Sequence, residues 1–249
     1  MKTIILFNTI NRPEMMFNTI RANILNSGTN EIEVICTNNG GTDETHVSIL
    51  RLIDAIKPIP VHYTRNIDNI GNSPSLNNML KFGSENITGI GYIAVLGDDI
   101  EMPDNWLIQA QRKFDEMKNL EIKPGIIGFD WGNLKKDKEP FHEILQCYTP
   151  GRVFGCWVFP YEIFDKLGYF VELSKYGLWD SEFNLRVSSA GYISCYLNGY
   201  DSKHIGADAG TKSDYRLMKN EELQKASILF NKAVDSHPAK VEWDNRKIE

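Results

Sequence analysis

Through the first half of the chain, short runs of apolar and β-branched residues alternate with stretches whose apolar positions recur at helical spacing. Ile4–Phe7, Ile32–Cys36, Val61–Tyr63, Tyr92–Leu96 and Ile126–Phe129 read as strands. Between them Met16, Ile20 and Ile24 mark one helix, and Pro13 suits its first turn, where no backbone N–H is needed. Val47, Leu50, Ile53 and Ile56 predict a second helix, opened by Thr42-Asp43 as a cap. Leu76, Met79 and Leu80 mark a third, and Leu107, Ala110, Phe114 and Met117 a fourth. Strands that alternate with helices need crossover connections, so the expected class is α/β: a mainly parallel central sheet flanked by helices.

The pattern loosens after Phe129. Gly132, Asn133, the charge run Lys135–Glu139 and Pro140 read as a solvated loop. Order returns with a strand at Val153–Phe159, helical positions Ile163, Phe164 and Leu167, a further helix at Phe183, Val187 and Ala190, and a strand at Ile193–Leu197. From Asp214 to Val234, Leu217, Ala226, Leu229 and Ala233 stand among charges and predict an amphipathic closing helix. With no internal repeat and no low-complexity linker, one domain is the simplest reading.

Composition alters this picture little. Of 249 residues, 42% are hydrophobic and 24% charged, as in ordinary globular proteins. A net charge of -6 argues against nucleic acid as a general partner, although a local basic face would still admit a modified base. Asn8 interrupts the first apolar run too early for a signal-peptide core, and no run approaches the roughly 20 residues that span a bilayer. A soluble, cytoplasmic protein without integral membrane contact is expected. Cys36, Cys147, Cys156 and Cys195 show neither CxxC pairing nor metal-type spacing with histidine, so reduced, mostly buried thiols are expected. Asn86-Ile87-Thr88 fits a glycosylation acceptor pattern, which stays silent without export.

Chemistry enters at Leu96-Gly97-Asp98-Asp99. Two adjacent carboxylates directly follow an apolar strand, and ligands of open α/β sheets bind at such carboxyl ends. Carboxylates there suit a hard cation that bridges phosphate oxygens, Mn²⁺ or Mg²⁺. The plainer alternative is an acidic turn. Gly89-Ile90-Gly91-Tyr92-Ile93-Ala94 imitates a dinucleotide fingerprint, but it precedes a strand instead of following one, and reads as a turn.

The neighbouring segments carry more weight. Thr9-Ile10-Asn11-Arg12-Pro13 closes the first strand, and Glu33–Thr45, with Thr37-Asn38-Asn39-Gly40-Gly41-Thr42-Asp43, covers the second strand and its turn. Arg65-Asn66, then Asn69-Ile70-Gly71 and Asn77, precede the Asp pair; Gly155–Glu172, Gly177–Arg186 and Ala190-Gly191-Tyr192 follow it. In this order and spacing the segments resemble the family 2 glycosyltransferases of the GT-A fold, over about residues 2–210.

The resemblance implies a GT-A domain at 1–210, with a nucleotide-sugar half to about 100, an acceptor half beyond it, and a C-terminal helical extension at 211–249. It implies a metal-dependent, inverting transfer of a sugar from a UDP-, GDP- or dTDP-type donor to a hydroxyl of a glycan or small molecule. Asp180 aligns with the catalytic base, the alternative being a helix N-cap. Asp99 takes the metal-coordinating position of Asp-x-Asp, and His204 resembles a late metal-site histidine, with a structural role as the alternative. Donor contacts fall on Thr9, Asn11, Arg12, Asn38, Arg65, Asn69, Gly71, Asn77 and Asp98. Gly71 reads equally as an ordinary turn. Acceptor contacts fall on Trp157, Trp179 and Glu182; Trp179 suits a sugar face or the core, and Glu182 suits the acceptor, Asp180 or an exposed structural role.

The sequence departs from the family where Gly97 replaces the first Asp of Asp-x-Asp, where Asn38 replaces the second-strand Asp, and where Trp179 precedes Asp180 in place of a second carboxylate. These departures motivate a second reading, a nucleotide-sugar or glycan-binding protein with impaired catalysis. A sugar nucleotidyltransferase is a third, but Asn8–Glu14 lacks its Gly-rich basic signature.

Overall fold

Successive strand residues face opposite sides of a sheet, and that alternation divides the interior in two. In the computed structural model Ile5 and Phe7 join Val34, Cys36, Tyr92 and Ala94 in one buried cluster, while Ile4 and Leu6 join Ile35, Ile93 and Val95 in another. Strands that are apolar at every position thus sit between two helical layers, as parallel sheets require. The structure describes residues 1–130, 147–148, 156–206, 213–236 and 240–247. The 135–139 charge run and the start of the strand expected at Val153 lie outside them.

The strands are β1 (Lys2–Thr9), β2 (Ile32–Asn39), β3 (Val61–Asn66), β4 (Ile90–Val95), β5 (Ile100–Glu101), β6 (Pro124–Gly128), β7 (Cys147–Tyr148), β8 (Trp157–Pro160), β9 (Ile193–Leu197) and β10 (Lys203–His204). The helices are α1 (Pro13–Leu25), α2 (Asp43–Ala55), α3 (Asn72–Asn86), α4 (Trp106–Asn119), α5 (Tyr161–Leu167), α6 (Trp179–Ser189) and α7 (Ser213–Ser236). One sheet runs in the order β3-β2-β1-β4-β8-β6-β9-β7; β10 and β5 form a separate pair. The pairs β1–β2, β2–β3, β1–β4 and β6–β9 are parallel, while β8 runs antiparallel to both β4 and β6. The α/β class is as the alternation predicts.

Helix α2 corrects its predicted face. Val47 and Leu50 are about half exposed, whereas Thr45, Ser48, Ile49 and Leu52 are buried. Ile49 and Leu52, with two small polar residues, take the core positions expected of Val47 and Leu50, while Ile53 and Ile56 of the predicted stripe do pack on the core. The turn expected over Gly89–Ala94 shrinks to Gly89, at φ +73°, because Ile90–Ala94 already belong to β4, which pairs with β1. Cys36, Cys156 and Cys195 are buried free thiols. Ala226 and Ala233 of α7 pack with Val171, Leu173 and Val241 in a small third cluster. Among the described residues no helix is long and apolar enough to cross a membrane.

Candidate functional site

The sheet order reverses at β1, which has β2 on one side and β4 on the other. Such a switch opens a crevice at the strands' carboxyl ends. Here it is a cleft of about 360 Å³, lined from the β1 end by Asn8, Thr9, Ile10 and Arg12 and from the β4 end by Leu96 to Ile100. Asn39, Asn69, Asn72, Tyr176, Trp179, Asp180 and His204 complete its wall. Sequence-predicted residues from five separate segments therefore meet: Thr9 and Arg12, Asn69, Asp98 and Asp99, Trp179 and Asp180, and His204.

The carboxylate pair is cross-braced. Thr9 Oγ1 donates to Asp98 Oδ2 at 2.6 Å, and Arg12 Nη1 donates to Asp99 Oδ2 at 2.6 Å while lying 3.4 Å from Asp98 Oδ1. Burial pushes the Asp98 carboxyl up from its usual 3.8 to about 6; the Asp99 charge adds to the rise, and Arg12 and the Thr9 hydroxyl oppose it. Gly97, the departure from Asp-x-Asp, has a local reason. A Cβ there would stand 3.2 Å from Asp99 Oδ1 and 3.3 Å from Ile100 Cδ1, crowding the carboxylate.

His204 arrives through the two-residue ladder of β10 on β5, in which it pairs with Ile100. Ile205 N–H donates to Asp99 O at 2.9 Å, and His204 Nε2 lies 3.4 Å from Asp99 Oδ2. Gly206 makes the approach feasible, since a Cβ there would lie 2.5 Å from Asp99 Oδ2. A carboxylate oxygen beside an imidazole nitrogen, open to a cleft, is a donor set that suits Mn²⁺ or Mg²⁺ with phosphate oxygens as further ligands. Among the described residues no group of three or more His, Cys, Asp or Glu side chains is arranged to hold a metal by itself.

Asparagines build the opposite rim. Asn39, almost wholly buried, donates to Asn69 Oδ1 at 3.1 Å and to Gly71 O at 3.0 Å, and its Oδ1 accepts from Asn66 Nδ2 and Ile70 N–H. Asn69 Nδ2 in turn donates to Tyr176 Oη at 2.7 Å. This ties the β2 and β3 ends to the segment that delivers Trp179 and Asp180. Neither Asn39 nor Tyr176 was among the predicted contacts; the signal was the recurrence of Asn at 8, 38, 39, 66, 69 and 72, at strand ends, in the β3–α3 connection and at the start of α3.

Asp180 is the second residue of α6, whose N-cap is Leu178 at φ 60°. The N-cap alternative for Asp180 is therefore not what forms. Its Oδ1 accepts from Ser181 N–H at 2.8 Å. Trp179 stacks on Trp157, with ring centroids 5.5 Å apart.

Several expected contacts take other tasks. Trp157, 1% exposed, lies among Phe159, Phe170 and Phe183 and supports Trp179 instead of lining the cleft. The Glu182 carboxylate forms a buried bidentate pair with Arg186, at 2.8 and 2.7 Å, on the wall of a separate cavity of about 400 Å³ bordered by α5, α6 and α7. Asn77 is fully buried and pins Phe170 by its N–H and C=O, at 3.0 and 2.9 Å. Asn38 accepts from Gly41 N–H at 2.7 Å and shapes the β2 turn. Asn11, at φ 53°, accepts from Thr42 N–H at 2.9 Å, and Arg65 pairs with Asp43 at 2.7 Å; both stand outside the cleft wall. Gly71, at φ 98°, is required by contact, since a Cβ would lie 2.8 Å from Lys175 Cα.

The model of the family described as glycosyl transferase family 2 matches residues 5–176. The chain belongs to this family. No curated protein matches it in sequence. Its GT-A fold is shared with the mannosyltransferase PcManGT from Pyrobaculum calidifontis, solved in complex with GDP-Man and Mn²⁺, at TM-score 0.69 and 14% identity. That superposition covers 94% of this chain and 64% of the mannosyltransferase chain, so this family member spans under two thirds of that length. S. aureus TarS in complex with UDP is similar at TM-score 0.62 and 14% identity, over 92% of this chain and 65% of TarS.

Proposed function

We propose that the chain is a glycosyltransferase, dependent on a divalent cation, that moves a sugar from a nucleotide-sugar donor to a hydroxyl group with inversion at the anomeric carbon. The observation that carries the proposal is the convergence, in one cleft, of the Asp98-Asp99 pair with Arg12 and His204 on one side and Asp180 with Trp179 on the other. Family membership supports it, as do the GDP-Man with Mn²⁺ and the UDP bound by the two proteins of similar fold.

Asp99 and His204 would hold Mn²⁺ or Mg²⁺, which when bound supplies neutralising charge for the departing diphosphate. Arg12 offers its guanidinium to the phosphates, and Thr9, Asp98 and the Asn69–Asn72 rim border the rest of the donor. Asp180 accepts the proton of the acceptor hydroxyl as that oxygen bonds to the anomeric carbon. The bond from that carbon to the diphosphate breaks, and its electron pair leaves with the nucleotide. Trp179 is an apolar platform for a sugar ring at the same wall. A protein charge of -6 disfavours nucleic acid as the acceptor and leaves glycans and small hydroxyl compounds as the class to test.

The test is turnover of nucleotide sugars, by hydrolysis or transfer, in the native chain and in Asp180→Asn and Asp99→Asn. Each substitution is expected to lower kcat at least about a hundredfold, the range of general acid–base and electrostatic contributions. Native turnover in both variants would refute the roles.

A further inference from the structure

We infer that Arg12 is a counter-ion built into the cation site: it competes with a divalent cation for Asp99 and yields when a diphosphate takes up the guanidinium. The inference rests on the reading of the cleft given above. It starts from one oxygen. Asp99 Oδ2 meets Arg12 Nη1 at 2.6 Å and His204 Nε2 at 3.4 Å, and the same Arg12 nitrogen lies 3.4 Å from Asp98 Oδ1. A cation held by Asp99 and His204 has to approach the oxygen that the guanidinium already engages. Two positive groups on one partly buried oxygen repel each other.

Arginine cannot relieve that repulsion by losing its proton, so it has to move. Its side chain is 29% exposed, against 18% for Asp99 and 13% for Asp98, so it lies at the open edge of the cluster. A diphosphate offers it oxygens whose spacing fits the guanidinium fork better than two separate carboxylates do. Without a diphosphate, Arg12 screens two adjacent carboxylates from each other and keeps the cation weakly bound. With one, the guanidinium transfers to phosphate and Asp99 is released to the cation. Cation and nucleotide then bind as a coupled pair, whatever the nucleoside or sugar.

The experiment is a Mn²⁺ titration of the full chain without nucleotide, read by the electron paramagnetic resonance of free Mn²⁺. Arg12→Met is expected to bind Mn²⁺ about tenfold more tightly than the native chain, within the usual range of coupling between sites. Arg12→Lys, which keeps the charge, should stay within about threefold of native, and Arg12→Met with Asp99→Asn should lose the gain. In EDTA, calorimetry should show UDP and GDP binding Arg12→Met more weakly than native. Arg12→Gln serves in place of the methionine variant if circular dichroism shows the latter unfolded. Unchanged or weaker Mn²⁺ binding in a folded Arg12→Met or Arg12→Gln chain would overturn the inference, as would a gain that survives Asp99→Asn. Failure of the glycosyl-transfer reading would look different. The native chain would then neither bind nor turn over nucleotides, while the Mn²⁺ comparison would still be decided.

Discussion

Replacing Asp98 by asparagine removes a charge that the fold holds against its preference. The carboxyl rises from 3.8 to about 6, mainly through burial. At about 1.4 kcal/mol for each pKa unit, this is about 3 kcal/mol of destabilisation whenever Asp98 is ionised. The sign follows from the direction. The folded chain binds this proton more tightly than the unfolded chain does, so this contribution to stability is greatest below pH 3.8, falls as pH approaches 6 and stays low above it. Asparagine keeps an oxygen for the Thr9 hydroxyl but loses attraction to Arg12 at 3.4 Å. The net gain expected at pH 7.5 is thus about 2 kcal/mol, or roughly 4–8 °C in Tm for a chain of this size. Calorimetry of Asp98→Asn and native protein at pH 7.5 and pH 4 tests it. The variant should be more stable at pH 7.5, with the difference gone at pH 4. Equal or lower stability at pH 7.5, or a gain independent of pH, would refute the reasoning.

Three further outcomes are expected. Asn39→Ala strips a buried hub of its bonds to Asn66, Asn69, Ile70 and Gly71, and urea unfolding should show a loss of about 3 kcal/mol. Gly206→Ala drives a methyl to within 2.5 Å of Asp99 Oδ2; Mn²⁺-dependent nucleotide binding should weaken about tenfold by calorimetry while the far-ultraviolet circular dichroism stays native. Arg186→Met leaves Glu182 buried and unpaired and should cost about 3–5 kcal/mol in urea unfolding, whereas Glu182→Leu with Arg186→Met should recover most of that loss.

What the sequence could disclose followed from the range of the physics involved. Strands buried on both faces announce themselves as continuous apolar runs, so β1, β2 and β4 were legible, and with them the strand ends that carry Thr9, Arg12, Asp98 and Asp99. Helix α2 carries two apolar pairs of equal spacing, Val47-Leu50 and Ile49-Leu52, and only packing chooses between them, while Ile53 and Ile56 of the predicted stripe do pack on the core. A two-residue strand has no period, so nothing local showed how β10 brings His204 to Asp99. The burial of Trp157 and the use of Asn77 on Phe170 depend on partners remote in sequence. Glu182 was readable, because Arg186 stands four residues on along one helix and could have been taken as its partner.

The central claim is that the cleft at the β1 switch binds a nucleotide sugar through a cation. Thermal unfolding of the full chain with UDP-, GDP- and dTDP-sugars, each in Mn²⁺ and in EDTA, tests it most directly. At about a hundred times its Kd, one donor class should stabilise the chain by about 2.7 kcal/mol, raising Tm by roughly 5–10 °C in Mn²⁺ and far less in EDTA. A folded chain whose Tm no nucleotide sugar moves, with or without Mn²⁺, would contradict it.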